Sequence, residues 1–197
     1  MKLFIAIPSN RGWSAWFGDS FSRLVKRLAL EGVDFEIDCL LNSSCLPRAR
    51  SGSVKLAREN NATHLLFLDD DMAFPNIIFT SMIGKKKPVV IANYPTKQSW
   101  DQKPTCIGLD GKRISSEGKT YIEQVKAGGL GIALIELSSL PEEPLFSMPW
   151  NGNDYLGEDV FFFMRLEEEG IPVYVDHDIS NMIAHVGEYG YHFECKK

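Results

Sequence analysis

The chain has 197 residues, 44% hydrophobic and 24% charged, with a formal net charge of −5, which suits one globular domain with a real core rather than a disordered or fibrous chain. The acidic balance argues against a large nucleic-acid footprint, since such domains are usually basic. Four cysteines without a Cys-x-x-Cys pair exclude a disulfide scaffold, and no apolar run approaches the ~20 residues of a membrane span. The expectation is a cytoplasmic protein whose only membrane contact would be peripheral.

An apolar stretch over residues 3–7 stops at Pro8, too short for a signal-peptide core, and is read as a first strand. Helical spacing of Phe17, Phe21, Leu24, Val25 and Leu28 predicts a helix over 14–30, closed by Gly32. Residues 34–40 alternate and predict a second strand. A helix over 46–60 opens with Pro47 in its first turn. A short buried strand follows over 64–68, then a helix over 75–83 and a strand over 88–92. This β-α-β-α-β order predicts a mostly parallel sheet covered by helices. Residues 101–126 are polar and turn-rich and predict antiparallel hairpins at one edge. Beyond them come a Gly-rich entry into a strand over 132–137, a Pro-rich loop with Trp150, and a helix over 158–169. Two short strands, over 171–175 and 182–186, complete a single domain spanning 1–197.

Chemistry concentrates at three places. Leu66-Phe67-Leu68 runs straight into Asp69-Asp70-Asp71, which puts carboxylates at the carboxyl end of a strand, where open α/β sheets bind ligands. Like charges packed together are costly unless a cation neutralises them. Oxygen ligands of this kind suit Mg²⁺ or Mn²⁺, which usually bind one or two carboxylates plus substrate phosphates. Gly157-Glu158-Asp159 opens a helix, where the N-terminal dipole keeps an Asp ionised and able to accept a proton. His185, near the chain end and two residues before Gly187, offers a neutral imidazole to a metal.

Together these segments resemble the GT-A glycosyltransferases, in particular small family-2-like members. Asp69-Asp70-Asp71 resembles their DxD motif, Gly157-Glu158-Asp159 the ED motif of inverting members, and His185 the late metal-binding histidine. Pro47-Arg48-Ala49-Arg50-Ser51 is similar to their Arg-containing helix start, and residues 5–8 to the strand that leads into the nucleotide loop. The resemblance implies a single GT-A domain, Rossmann-like, that uses Mn²⁺ or Mg²⁺ and a nucleoside-diphosphate sugar, with a family-level lean to UDP. Asp71 would bind the metal directly, Asp69 would contact it through water or hold the ribose, and His185 would complete the ligand set. Pro8, Asn10, Arg11, Arg50, Asp69 and Asp70 would border the nucleotide. Asp159 would be the general base and Glu158 would orient the acceptor. Gly128, Gly129 and Gly131 would let the backbone approach donor or acceptor closely, and Trp150 could stack on a sugar or base. The implied reaction moves the sugar to an acceptor hydroxyl with inversion. A glycan or lipid-linked acceptor fits, and a modified base in DNA is disfavoured by the acidic charge. Asp70 adds a third charge where the family usually has a small residue.

Two competing readings are a non-catalytic nucleotide- or glycan-binding module on the same fold and a metal-dependent phosphatase. The phosphatase would need its carboxylate pair near the first strand, whereas the triplet here follows the third. Asp176-His177-Asp178 is read as a polar turn. Asn151-Gly152-Asn153-Asp154 fails the calcium-loop pattern at Phe162, where Glu is required.

Overall fold

A computed structural model describes residues 1–10, 12–41, 44–97, 102–187 and the backbone of 190–191. Arg11 and Trp100 lie outside the described residues. The elements, in chain order, are β1 (Lys2–Ser9), α1 (Ala15–Leu30), β2 (Asp34–Leu41), α2 (Leu46–Glu59), β3 (His64–Leu68), β4 (Met72–Ala73), α3 (Ile78–Gly84), β5 (Val89–Ile91), β6 (Ile107–Gly108), β7 (Ile122–Ala127), β8 (Ile132–Glu136), α4 (Glu158–Glu168), β9 (Val173–Asp176), α5 (His177–Ser180), β10 (Ala184–Val186) and β11 (Gly190–Tyr191).

Strand alternation decides the layering. In β1, Phe4 and Ala6 join one apolar layer while Leu3, Ile5 and Ile7 join the other; in β3, Leu65 and Phe67 oppose Leu66 and Leu68. Because both faces are buried, these strands are continuously apolar rather than alternating. Val54 and Ala57 of α2 and Phe162, Phe163 and Leu166 of α4 cover the first face. Phe17, Phe21, Leu24 and Leu28 of α1 and Ile78, Phe79 and Met82 of α3 cover the second. Ser14 caps α1 by accepting the Phe17 N–H at 3.0 Å. Among the described residues, no helix is long and apolar enough to cross a membrane.

The main sheet has the order β2-β1-β3-β8-β5-β9-β7-β6. Its strands β2, β1, β3, β5, β9 and β6 run one way, so the sheet is mostly parallel in direction. Strand β8 enters between β3 and β5 antiparallel to both. The β6–β7 hairpin supplies the antiparallel edge. A second sheet, β11-β10-β4, is wholly antiparallel. Since β1 is flanked by β2 on one side and β3 on the other, the chain reverses its winding beside β3, which opens a crevice at the carboxyl ends of those strands. Asp69–Asp71 lies at that edge, and Gly128–Gly131 arrives there because β8 runs the opposite way.

Several expectations are corrected. The polar turn at 176–178 is a one-turn helix: the Asp176 carboxylate accepts the N–H groups of Asp178 and Ile179 at 3.1 and 3.3 Å and starts α5. The helix predicted over 75–83 begins only at Ile78. Trp13 packs edge-on against Phe17 and Phe21, whereas Trp16 is 65% exposed.

Candidate functional site

Strand β3 ends at Leu68, and the Asp69 N–H donates to the Gly131 carbonyl at 2.8 Å, so the acidic turn starts pinned to the segment entering β8. The Met72 N–H folds back onto the Asp69 carbonyl at 3.1 Å, and the Val186 N–H donates to the Asp71 carbonyl at 2.7 Å. The small β4–β10 pairing places Met72 opposite His185. In this way a two-residue strand brings the last predicted site residue beside the acidic turn, across more than a hundred residues of chain.

The three carboxylates take different partners. Asp69 accepts from Arg50 Nη2 at 3.0 Å. Asp71 divides its oxygens: Oδ2 pairs with the Lys97 ammonium, and Oδ1 lies 3.6 Å from His185 Nε2. The Asp70 carbonyl accepts the Ser14 N–H at 3.1 Å, tying the turn to the start of α1. Burial pushes the Asp69 and Asp70 carboxyls up; Arg50 pulls against it at Asp69, and the Ser9 hydroxyl, then more weakly Lys97, at Asp70. For Asp71 burial also acts upward, but His185 and Lys97 outweigh it and hold the carboxyl below its usual range. Asp71 is thus the member of the triplet most firmly ionised.

Arg50 is the hub of the interior side. It is 2% exposed and reaches Asp69, Glu158 Oε1 (3.4 Å from Nε) and the Leu130 carbonyl (3.5 Å), with its guanidinium 5.1 Å above the Phe67 ring. A planar fork on a rigid helix suits such multiple pairing. Arg50, expected to border the nucleotide, is buried and ion-paired here to Asp69 and to Glu158, the residue expected to orient the acceptor. The bridge joins the acidic turn to the first turn of α4 and so sets where Asp159 stands.

The Asp159 Oδ1 accepts the Val160 N–H at 2.7 Å. Burial raises its carboxyl, Glu158 raises it further, and the helix N–H and Arg50 oppose. That is the environment of a carboxylate that accepts a proton more readily than an exposed one.

His185 Nδ1 lies 3.0 Å from the Pro95 carbonyl. A carbonyl only accepts, so Nδ1 donates to it, and Nε2 faces Asp71 Oδ1, donating to it in the doubly protonated ring and offering a lone pair in the neutral one. The structure therefore brings Asp71 and His185 together as a donor pair but leaves Asp69 on Arg50. Among the described residues, no group of three metal-ligating side chains converges.

Other expected site residues are placed as follows. Pro8 is buried inside β1, paired in register with Leu40; Asn10, just past the strand, is exposed. A Cβ at Gly129 or Gly131 would lie 2.2 or 2.7 Å from the Tyr94 hydroxyl, and one at Gly128 would lie 2.3 Å from Ile91 Cδ1. The close approach these glycines permit is to the protein's own Tyr94 and Ile91. Tyr94 also accepts the Gly131 N–H at 2.9 Å and stacks edge-on against His185, 5.1 Å between centroids. Burial raises the Tyr94 hydroxyl, with Asp69 adding to it, so it stays protonated. Trp150 is 58% exposed, in edge contact with Tyr155 at 5.2 Å. Sequence reasoning missed Lys97 and Tyr94. Both follow β5, and their one signal is position, a polar segment just past the carboxyl end of a buried strand.

The crevice at the switch point, with Asp69–Asp71 at its edge and Glu158 and Asp159 at a helix start, sits in a GT-A-like α/β fold. The structure is similar to the A197 protein from STIV (TM-score 0.62, 20% identity over 99% of this chain and 87% of that one). It is also similar to a Drosophila β-1,4-galactosyltransferase 7 variant in complex with manganese, UDP-Gal and xylobiose (0.56, 13%, 100% and 76%). Residues 1–349 of S. aureus TarS in complex with UDP-GlcNAc match at 0.54 and 13% identity over 100% of this chain, which spans 59% of that fragment. No protein-family model matches the chain, and no curated protein matches it in sequence. The fold is shared; at these identities the activity is not thereby carried over.

Proposed function

We propose that the chain is a glycosyltransferase that moves a sugar from a nucleoside-diphosphate sugar, UDP first among the bases, to an acceptor hydroxyl with inversion. The observation that carries this reading is a convergence at one sheet edge. A carboxylate held below its usual range and an imidazole anchored through Nδ1 stand side by side there, and a raised carboxyl at a helix start is linked to the same turn through Arg50.

The residues fit a divalent cation. The fixed Nδ1–H of His185 leaves Nε2 as a ligand, Asp71 is ionised, and oxygen-plus-imidazole donors completed by diphosphate suit Mn²⁺. Asp71 and His185 would hold it, and such an ion offsets the charge growing on a departing diphosphate, a stabilisation of about several kcal/mol. Asp159 accepts the acceptor hydroxyl's proton while the acceptor oxygen bonds to the anomeric carbon. The bond from that carbon to the diphosphate oxygen breaks, and its electron pair leaves with the nucleotide. Arg50 and Glu158 position Asp159 against the acidic turn rather than touching substrate. Attack opposite the leaving group inverts the anomeric centre.

Calorimetric titration with UDP and with GDP tests this reading. The expected result is binding of UDP in the presence of Mn²⁺ that EDTA abolishes. Absence of binding of either nucleotide to the folded, metal-supplied protein overturns it.

A further inference from the structure

The acidic turn raises an electrostatic problem that Lys97 solves. Asp69 is neutralised by buried Arg50, whereas Asp71 faces, among the described residues, the ammonium of Lys97 on Oδ2 and the imidazole of His185 toward Oδ1. The backbone leading to Lys97 is anchored. Pro95 bridges to Pro104 and accepts His185 Nδ1, and the Thr96 N–H donates to the Lys103 carbonyl at 2.9 Å. The Lys97 side chain is by contrast a one-third-exposed four-carbon stem bearing a point charge, which can pivot between acceptors without moving the loop. Its charge also reaches Asp70.

Resting on the transferase reading above, we infer that Lys97 is a resident counter-ion that leaves Asp71 for the donor's diphosphate, and so couples metal binding to nucleotide binding. A divalent cation arriving alone must displace the ammonium from Asp71 and leave it without a partner. A cation arriving with a diphosphate displaces the same ammonium but supplies oxygens for it to bind, since lysine is an effective phosphate binder. Each ligand therefore favours the other, and by linkage the coupling is reciprocal. The site stays neutralised while empty and becomes competent for metal when the donor's diphosphate is present. Lys97 is in this sense a positioning and selectivity residue for the donor.

The test measures Mn²⁺ binding by the electron paramagnetic resonance signal of free Mn²⁺, without and with UDP, in the wild-type protein and in Lys97→Ala and Lys97→Arg. Lys97→Ala is expected to bind Mn²⁺ alone about tenfold more tightly and UDP in the presence of Mn²⁺ about tenfold more weakly, within the usual range of coupling between sites. Lys97→Arg keeps the wild-type pattern in direction. If the wild-type protein binds UDP with Mn²⁺ and Lys97→Ala leaves both affinities unchanged, or weakens Mn²⁺ alone, the inference is overturned while the transferase reading stands. If the wild-type protein shows no Mn²⁺-dependent UDP binding, the transferase reading fails and the inference falls with it.

Discussion

Asp69 and Asp71 stand two residues apart on one turn, yet the protein treats them in opposite ways. Asp69 faces inward onto a guanidinium that is 2% exposed and shared with Glu158. Asp71 faces an ammonium on a flexible, one-third-exposed stem and an imidazole whose other nitrogen is fixed. Arginine in a buried fork is permanent and hard to replace, whereas a lysine at an opening is exchangeable. One carboxylate is thereby structural and its neighbour is available for ligands, although a DxD pattern presents them as equivalents.

The largest expected effect lies at the residue the inward half positions. Asp159→Asn keeps the shape of the helix start but cannot accept a proton, so turnover should fall by roughly 10²–10⁴-fold while Mn²⁺-dependent UDP binding persists, as measured by calorimetry beside an initial-rate assay. Surviving activity would remove Asp159 as the base. The raised Asp159 carboxyl also gives a sign in wild-type protein. The active form is ionised, so kcat/KM is lost as pH falls through the raised value, and the acid limb of the profile sits above that of an ordinary carboxylate.

Next comes the bridge itself. Arg50→Met leaves Asp69 and Glu158 partly buried and unpaired, and urea unfolding should show a loss of about 3–5 kcal/mol. A cost below about 1 kcal/mol would mean that the two carboxylates find water and that Arg50 is not structural. Gly131→Ala should cost about 1–3 kcal/mol through the 2.7 Å clash with the Tyr94 hydroxyl, and Tyr94→Phe in the same chain should recover part of that loss. No recovery would locate the strain elsewhere.

How far these features were visible in the sequence follows from their range. β3 was readable because four consecutive apolar residues, Leu65–Leu68, between polar ones are a local signal, and its limits coincide with those expected. The antiparallel entry of β8 was not, because an apolar run carries no direction; only the pairing of Leu66 with Leu134 reveals it. Asp159 and His185 could be nominated from residue type and order, since a helix start and a late histidine are marked locally. The bond from Arg50 to Asp69 could not, because nothing local distinguishes a buried arginine from the exposed Arg48 beside it on the same helix. Lys97 was invisible for a related reason: its partner is 26 residues away, and a lysine in a loop is normally solvated.

The smallest effect on stability is expected where the effect on ligand coupling is central. Lys97→Ala removes a salt bridge whose two side chains are about one-third exposed, a setting in which such pairs contribute only about 0–1 kcal/mol. Asp71 left alone can be hydrated through the same opening, so little desolvation is stranded. Urea unfolding of Lys97→Ala should therefore overlay the wild-type curve almost completely, beside the large displacement of Arg50→Met. If the two variants were instead destabilised alike, Lys97 would be a pin of the same kind as Arg50. Asp71 would then be no freer than Asp69, and the division of the turn into a structural and an exchangeable half would be wrong. A near-silent unfolding curve together with altered Mn²⁺ binding would place the function of Lys97 in the ligand equilibria and not in the fold.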